Sequence, residues 1–351
     1  MNALKNISRI QIRQETLILL LNLYESKGKT FYYNELFKRD HEAFMARTLE
    51  RDVVEVAKLF NLNLTDARIK LCAKKKISPS TKDEQLLINI KKIIYRIQTG
   101  YKKFELLANE AQELSKTLTY KHSNVNWTRK TVNEQEGLLA TKKTYSARED
   151  LEKLIELYYN ILKEKKYEAT TLITNFYVDF INMEIFDNFN DKVALFLLYA
   201  LLFQMFPIFQ YVSFFKHYNS LIEPIKFALD QANYNWASKF SQTDNLNEII
   251  YQILMRSYEE IDSFAYEYEF EKDLNKTDSV ENTILKFNRQ FSKEDLRRAH
   301  PNISDATINL TLQRLREEKK IMALGTGRSA KWQVIIDNRN YRQLSIFGEE
   351  E

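Results

Sequence analysis

The chain has 351 residues, enough for two or three domains, and 44% of them are hydrophobic, enough for a sizeable core. With only 6 glycines and 4 prolines it lacks the turn residues of a many-stranded protein, so helices are favoured. A net charge of +4 is a weak signal, and a lone Cys72 excludes an intramolecular disulfide framework and points to a reducing, cytoplasmic setting.

In chain order, residues 7–24 carry apolar side chains at helical spacing (Ile10, Leu17, Leu20, Leu21), broken at 26–30. The start of the chain lacks the apolar core of a signal peptide. Residues 52–74 read as two helices with a bend at 61–63, and 83–107 as one long amphipathic helix. The segment 120–148 is polar and without pattern, a long loop or flap. Helices follow at 147–164, 170–183, 191–206, 211–233 and 245–266. Residues 193–215 carry no charge, but Gln204, Pro207, Gln210 and Ser213 interrupt them. The unbroken run is too short for roughly 30 Å of hydrocarbon, so a buried central helix and no membrane span is expected. Both ends of the chain are rich in Lys and Arg, whereas 259–273 is acidic, a distribution compatible with nucleic-acid contact.

After a linker at 275–278 comes a distinct pattern. A first helix is expected over 280–291, and Ser292 with Asp295 three residues on resembles a capping box for a second. Pro301, Asn302 and Ile303 make a turn, and Ser304 caps a third helix over 305–319. Ile308, Leu312 and Leu315 share one face of it; Thr307, Asn309, Thr311, Gln313 and Arg314 are assigned to the other. Two short strands, 320–324 and 331–336, flank Gly325, Thr326, Gly327 and Arg328. Helix, helix, turn, helix and hairpin is the order of a winged helix-turn-helix. Its third helix would enter the major groove of double-stranded DNA, with Thr307, Asn309, Gln313 and Arg314 toward bases or phosphates. Arg328 and Lys331 would touch the backbone from the wing. The same fold could instead serve protein contact or dimerisation.

The helical middle, residues 83–266, resembles the Fic family of AMP-transferring enzymes. The family's active site is a His-Pro-Phe-x-Asp/Glu-Gly-Asn-Gly-Arg stretch between two buried helices. The matching segment here is Glu184, Ile185, Phe186, Asp187, Asn188, Phe189, Asn190, Asp191 and Lys192. The preceding helix carries Asn175, Phe176 and Phe180, and Ser213 and Tyr218 fall where the family commonly has a Ser and a Tyr. A C-terminal winged helix is a recurrent companion of this core, and Gly327, Arg328 and Ser329 resemble its wing. The resemblance implies the fold and argues against the activity. The proton-accepting His is Glu184, the acidic metal ligand is Asn188 with Asp187 beside it, and the two phosphate-cradling glycines are Phe189 and Asp191. Lys192 keeps the charge of the Arg but not its bidentate geometry. Only Phe186 and Asn190 match outright.

The family's inhibitory helix ahead of the core finds a weak counterpart at Asp66, Ala67, Arg68, Ile69 and Lys70, with Lys where a Glu belongs. Residues 54–69 can also be read as a helix-turn-helix capped by Thr65, with Arg68, Lys70 and Lys74 to Lys76 on phosphates, or as a structural extension. The expectation is a mainly α protein: an N-terminal helical region (1–80), a Fic-like core (81–274) and a small α+β winged helix (275–351). Its expected function is DNA binding or regulation, with a homodimer as one form. No metal site or cofactor is expected; ATP and Mg would enter only if the altered motif were active. The alternatives are an atypical nucleotidyl transferase using Glu184 and Lys192, and a protein-interaction scaffold.

Overall fold

Runs of apolar and polar residues at helical spacing, several of them opened by a Ser, Thr or Glu cap, build most of the described chain. The computed structural model describes residues 1–75, 77–136, 139–273, 276–287, 290–301, 303–325 and 330–335, with the backbone alone at 133–136, 139–142, 270–273 and 276–278. Two units result, Met1–Ser263 and Phe264–Glu351.

The first unit opens with α1 (Asn2–Lys5), α2 (Gln14–Gly28), α3 (Thr30–Leu36), α4 (His41–Leu59) and α5 (Asp66–Lys74). Then come α6 (Lys82–Gly100), α7 (Ala108–Thr119), a hairpin of β1 (Arg129–Glu136) and β2 (Leu139–Ser146), and α8 (Ala147–Glu164). Next are α9 (Ala169–Asn182), α10 (Asn190–Met205), α11 (Phe214–Ser220), α12 (Ile222–Tyr234) and the start of α13 (Asp244–Asp273). Caps fix several of these ends: Thr65 accepts from the Arg68 N–H, Thr81 from Glu84 (3.1 Å) and Ser213 from Lys216 (3.1 Å).

Helices α9 and α10 are buried almost throughout, from Thr170 to Phe180 and from Val193 to Phe203. An all-round apolar helix belongs inside a domain, and no described helix is long and apolar enough to cross a membrane. Polar side chains within this core tie helices together. Asp52 of α4 is fully buried and accepts from Ser213 Oγ, from Tyr199 Oη (3.2 Å) and, at 3.4 Å, from Gln98 Nε2. Burial pushes its carboxyl up to about 7 against the pull of those donors. Asp179 of α9 caps α1 by accepting from the Ala3 and Leu4 N–H groups (2.9 and 3.0 Å) and also takes the Trp236 indole N–H at 2.6 Å.

The second unit holds α14 (Lys276–Leu285), β3 (Phe291–Ser292), α15 (Lys293–Ala299), α16 (Asp305–Glu317), β4 (Ile321–Ala323) and β5 (Lys331–Val334). Its antiparallel strands run in the order β3-β5-β4, with Phe291 opposite Trp332 and Ile321 opposite Val334. A core of Val280, Ile284, Phe291, Leu296, Ile308, Leu312, Leu315, Ile321 and Trp332 holds it. The capping box expected at Ser292 is present in both directions, and Ser304 caps α16 by accepting from the Thr307 N–H at 3.2 Å.

Four expectations are corrected. The patternless segment 120–148 contains an eight-residue strand pair, registered from Arg129–Ser146 to Glu136–Leu139. The strand residues whose side chains are described, 129–132 and 143–146, include none that is buried, so they give no apolar alternation to read. The helix expected over 280–291 stops at Leu285, because Phe291 joins the sheet instead. Residues 211–233 are two helices, broken at Leu221. Thr311 is buried rather than outward, its hydroxyl donating to the Thr307 carbonyl at 2.9 Å. Arg328 lies outside the described residues.

Candidate functional site

Two places in the molecule gather the residues singled out in the sequence. The first is the loop joining α9 to α10. Glu184 and Phe189 both adopt left-handed backbone, φ 45° and 56°. Phe189 therefore keeps a conformation that suits glycine although it carries a full side chain. The loop pairs with the strand entry that precedes β1: Trp127 and Phe186 form an antiparallel bridge, Thr128 N donates to Ile185 O (3.0 Å) and Asp187 N to Asn126 O (3.1 Å).

Asp187, Asn188 and Asn190 are hydrogen-bonded to neighbouring chain, the first two on the exposed surface. Asp187 accepts from Asn126 N at 2.8 Å and from Asn126 Nδ2 at 3.2 Å. Asn188 Nδ2 donates to Asn124 O at 3.4 Å. Asn190 Oδ1 receives the Phe186 N–H (3.1 Å), while its amide donates to Ile181 O (3.2 Å) and, more weakly, Phe180 O (3.4 Å). The two outright matches to the family pattern, Phe186 and Asn190, are thus the pair that closes the loop. Phe186 is buried, tilted against Trp127 at 4.7 Å between ring centres.

Lys192 is drawn onto its own surroundings. Its Nζ lies 3.4 Å from Asp191, 5.0 Å from the Phe189 ring centre and 5.3 Å from that of Phe60. The other edge of Phe189 meets His122 in a T-shaped contact at 5.3 Å. Burial lowers the pKa of that imidazole, with the nearby Lys82 and Lys192 adding to the effect. Glu184 stands exposed at the rim. Among the described residues no group of three His, Cys, Asp or Glu is placed to hold a metal ion. Ser213 and Tyr218 do reach the interior, but Ser213 serves Asp52 and caps α11, and Tyr218 is hydrogen-bonded to the buried Tyr177.

The N-terminal alternatives meet a similar fact. Arg68 is closed onto Glu84, which Ser80 also engages through N and Oγ, both at 2.7 Å. The Arg68 guanidinium and the two Ser80 donors hold that carboxyl at about 2. Lys74 lies 3.9 Å from Glu50, and Lys70 is exposed.

The second place is the outer face of α16. Asn309, Leu310 and Gln313 are exposed there, Leu310 at 66%. Asn309 and Gln313 border an open depression of about 540 Å³ that Lys293, Arg316, Glu317 and Trp332 also line. Thr307 is partly covered and bonds Ser304, whereas Arg314 turns to Glu281 of α14 and lies half-buried. Lys331 is exposed at the start of β5. The sequence reading missed Lys293 and Arg316. A helical wheel would have found Arg316, since positions 309, 313 and 316 fall on one side at 100° per residue.

No family model matches the sequence, and no curated protein matches it. Among solved structures the chain is similar to a Fic family protein from Desulfovibrio desulfuricans G20. The TM-score is 0.55 at 13% identity, over 93% of this chain and 97% of that one. At that identity the likeness shows the fold: a Fic-like helical core with a small α+β unit at the C-terminal end.

Proposed function

We propose that this chain is a DNA-binding regulatory protein whose Fic-like core is catalytically degenerate and serves as scaffold. The observation that carries the DNA half is the second unit. Its element order and its β3-β5-β4 sheet are those of a winged helix-turn-helix, and the outer face of α16 offers amide, apolar and cationic side chains to solvent. An exposed face of that composition on the third helix suits a major groove.

The degenerate half is supported by the α9–α10 loop. Phosphate binding at such a place needs unobstructed backbone N–H groups and a free cation. Here Phe189 stands at the cradle, Asp191 puts a negative charge in the first turn of α10, and Lys192 is committed to rings and to Asp191. Asp187, the nearest substitute for a metal ligand, is engaged by Asn126.

Fluorescence polarisation of the full chain with labelled duplex DNA tests the first half. Affinity should fall steeply between about 50 and 200 mM salt as counterion release predicts, and absence of any salt-dependent binding ends the DNA reading. The same titration gives one copy or two per duplex. Incubation with labelled ATP and Mg²⁺ or Mn²⁺ tests the second half, with no label expected on protein. Label transfer that disappears in Glu184→Ala would instead establish a nucleotidyl transferase working through Glu184 and Lys192.

A further inference from the structure

The outer face of α16 is not uniform. Around the helix, Ile308, Thr311, Leu312 and Leu315 point into the unit and are buried. On one flank Arg314 is tied to Glu281, which also receives Lys320 at 2.9 Å. On the other flank, across the open depression, stand Arg316 and Lys293, neither with an ion pair among the described residues. Between the flanks run Asn309, Leu310 and Gln313.

We infer that Asn309, Leu310 and Gln313 are the edge that reads base pairs, that this edge selects A·T pairs in the major groove, and that Arg316 and Lys293 clamp the phosphates beside it, Arg314 being a tie within the unit. The inference rests on the DNA-binding reading and deepens it.

The chemistry follows from what each group offers. A carboxamide presents one donor side and one acceptor side, and adenine alone presents the matching N7 acceptor and N6 donor in the major groove. Guanine shows two acceptors there and calls for a cation; the cation on this side, Arg316, lies about 4.5 Å beyond Gln313 toward the C-terminal end of α16, away from the half that enters the groove. An apolar side chain beside the amides suits the thymine methyl group, and the exposed Leu310, about 60° around the helix from Gln313, is that side chain. Four residues of helix rise about 6 Å, and base pairs are spaced by about 3.4 Å. Asn309 and Gln313 therefore address pairs about two steps apart. Gln313 donates to Glu317 at 3.1 Å on the exposed surface. That contact steadies the amide, and the Glu317 carboxylate repels phosphate from the C-terminal end of α16. The helix is thereby biased to enter with its N-terminal half, as recognition helices do.

Selection of the full chain against a randomised duplex pool tests this. The enriched sites should carry A·T pairs at two positions about two steps apart. Asn309→Ala and Gln313→Ala should each relax one of those positions, reducing discrimination there by about 5- to 150-fold. Arg316→Ala and Lys293→Ala should weaken binding to every duplex alike, each lowering the slope of log affinity against log salt by about 1. Arg314→Ala should lower the melting temperature and leave that slope unchanged; a slope reduced as in Arg316→Ala overturns the clamp assignment. Enrichment of G·C pairs, no sequence preference, or a motif indifferent to Asn309→Ala and Gln313→Ala overturns the reading edge, while DNA binding itself stands. No enrichment together with no salt-dependent binding by the unsubstituted chain removes the DNA reading and this inference with it.

Discussion

The α9–α10 loop and the outer face of α16 are built from the same kinds of side chain: asparagines, an aromatic or apolar residue, and a lysine or arginine. They differ in whether those groups have partners within the chain. In the loop, Asp187, Asn188 and Asn190 bond to neighbouring backbone and Lys192 lies against two rings and Asp191. On α16, Asn309, Arg316 and Lys293 face an open depression. Polar groups with internal partners stabilise a fold, whereas those left to water remain available for a ligand. Under the function proposed above, the contrast separates a loop whose groups are engaged within the fold from a helix face whose groups are open to a ligand.

The largest effect is expected where the core holds a polar group most tightly. Asp52 titrates at about 7 in the fold against 3.8 when free. A folded pKa above the unfolded one means that the folded chain holds the proton longer. Stability is therefore fully present below about 4 and is lost as pH rises toward about 7, by on the order of 4 kcal/mol. Urea denaturation across pH 4 to 8 should show this arm, and Asp52→Asn should flatten it without altering DNA affinity. A slope that persists in the variant would assign the titration elsewhere. Next in size is Asn190→Ala, which leaves the Phe186 N–H and the Ile181 carbonyl without their partner. A loss of about 2 kcal/mol is expected on denaturation; an unchanged midpoint would mean that the loop closes without its asparagine.

Within α16 the comparison narrows to two arginines two positions apart. Arg314 is half-buried and charge-paired with Glu281, so Arg314→Ala should cost about 1–2 kcal/mol of stability. Arg316 is exposed, and its removal should stay within about 0.5 kcal/mol. Thermal melts of the two variants side by side check this, and equal losses would erase the distinction between tie and clamp.

How much of this was legible in sequence follows from where the information resides. The central helices were visible because α9 and α10 are apolar enough to need full burial, and the caps at Thr65, Ser292 and Ser304 are local chemistry. The β1–β2 hairpin was not, since its sequence is largely polar and shows no apolar alternation. The identity of Asp187 and Lys192 said nothing of their direction. Only the approach of Asn126, more than sixty positions distant, and of Phe60 reveals that both are engaged. Thr311 was placed outward because it is polar, yet its hydroxyl satisfies itself on the Thr307 carbonyl and lets the methyl group pack.

Phe189→Gly carries the smallest expected change in stability and bears most directly on the contrast between the two regions. A non-glycine residue at φ 56° costs roughly 1–2 kcal/mol of backbone strain that glycine would relieve. Against this stands the loss of the edge contact with His122 and the cation contact with Lys192, together of comparable size. Glycine also makes the unfolded chain more flexible. The net should lie within about 1 kcal/mol. The substitution nevertheless removes the side chain at the N-cap of α10, so it asks whether Phe189 alone keeps a nucleotide out. Asp191 still opposes an anion there and Asp187 is still held by Asn126, so ATP with Mg²⁺ should produce no shift in melting temperature. If ATP did stabilise the variant, and label then passed to protein in a Glu184-dependent way, the loop would be a blocked nucleotide site rather than a dismantled one.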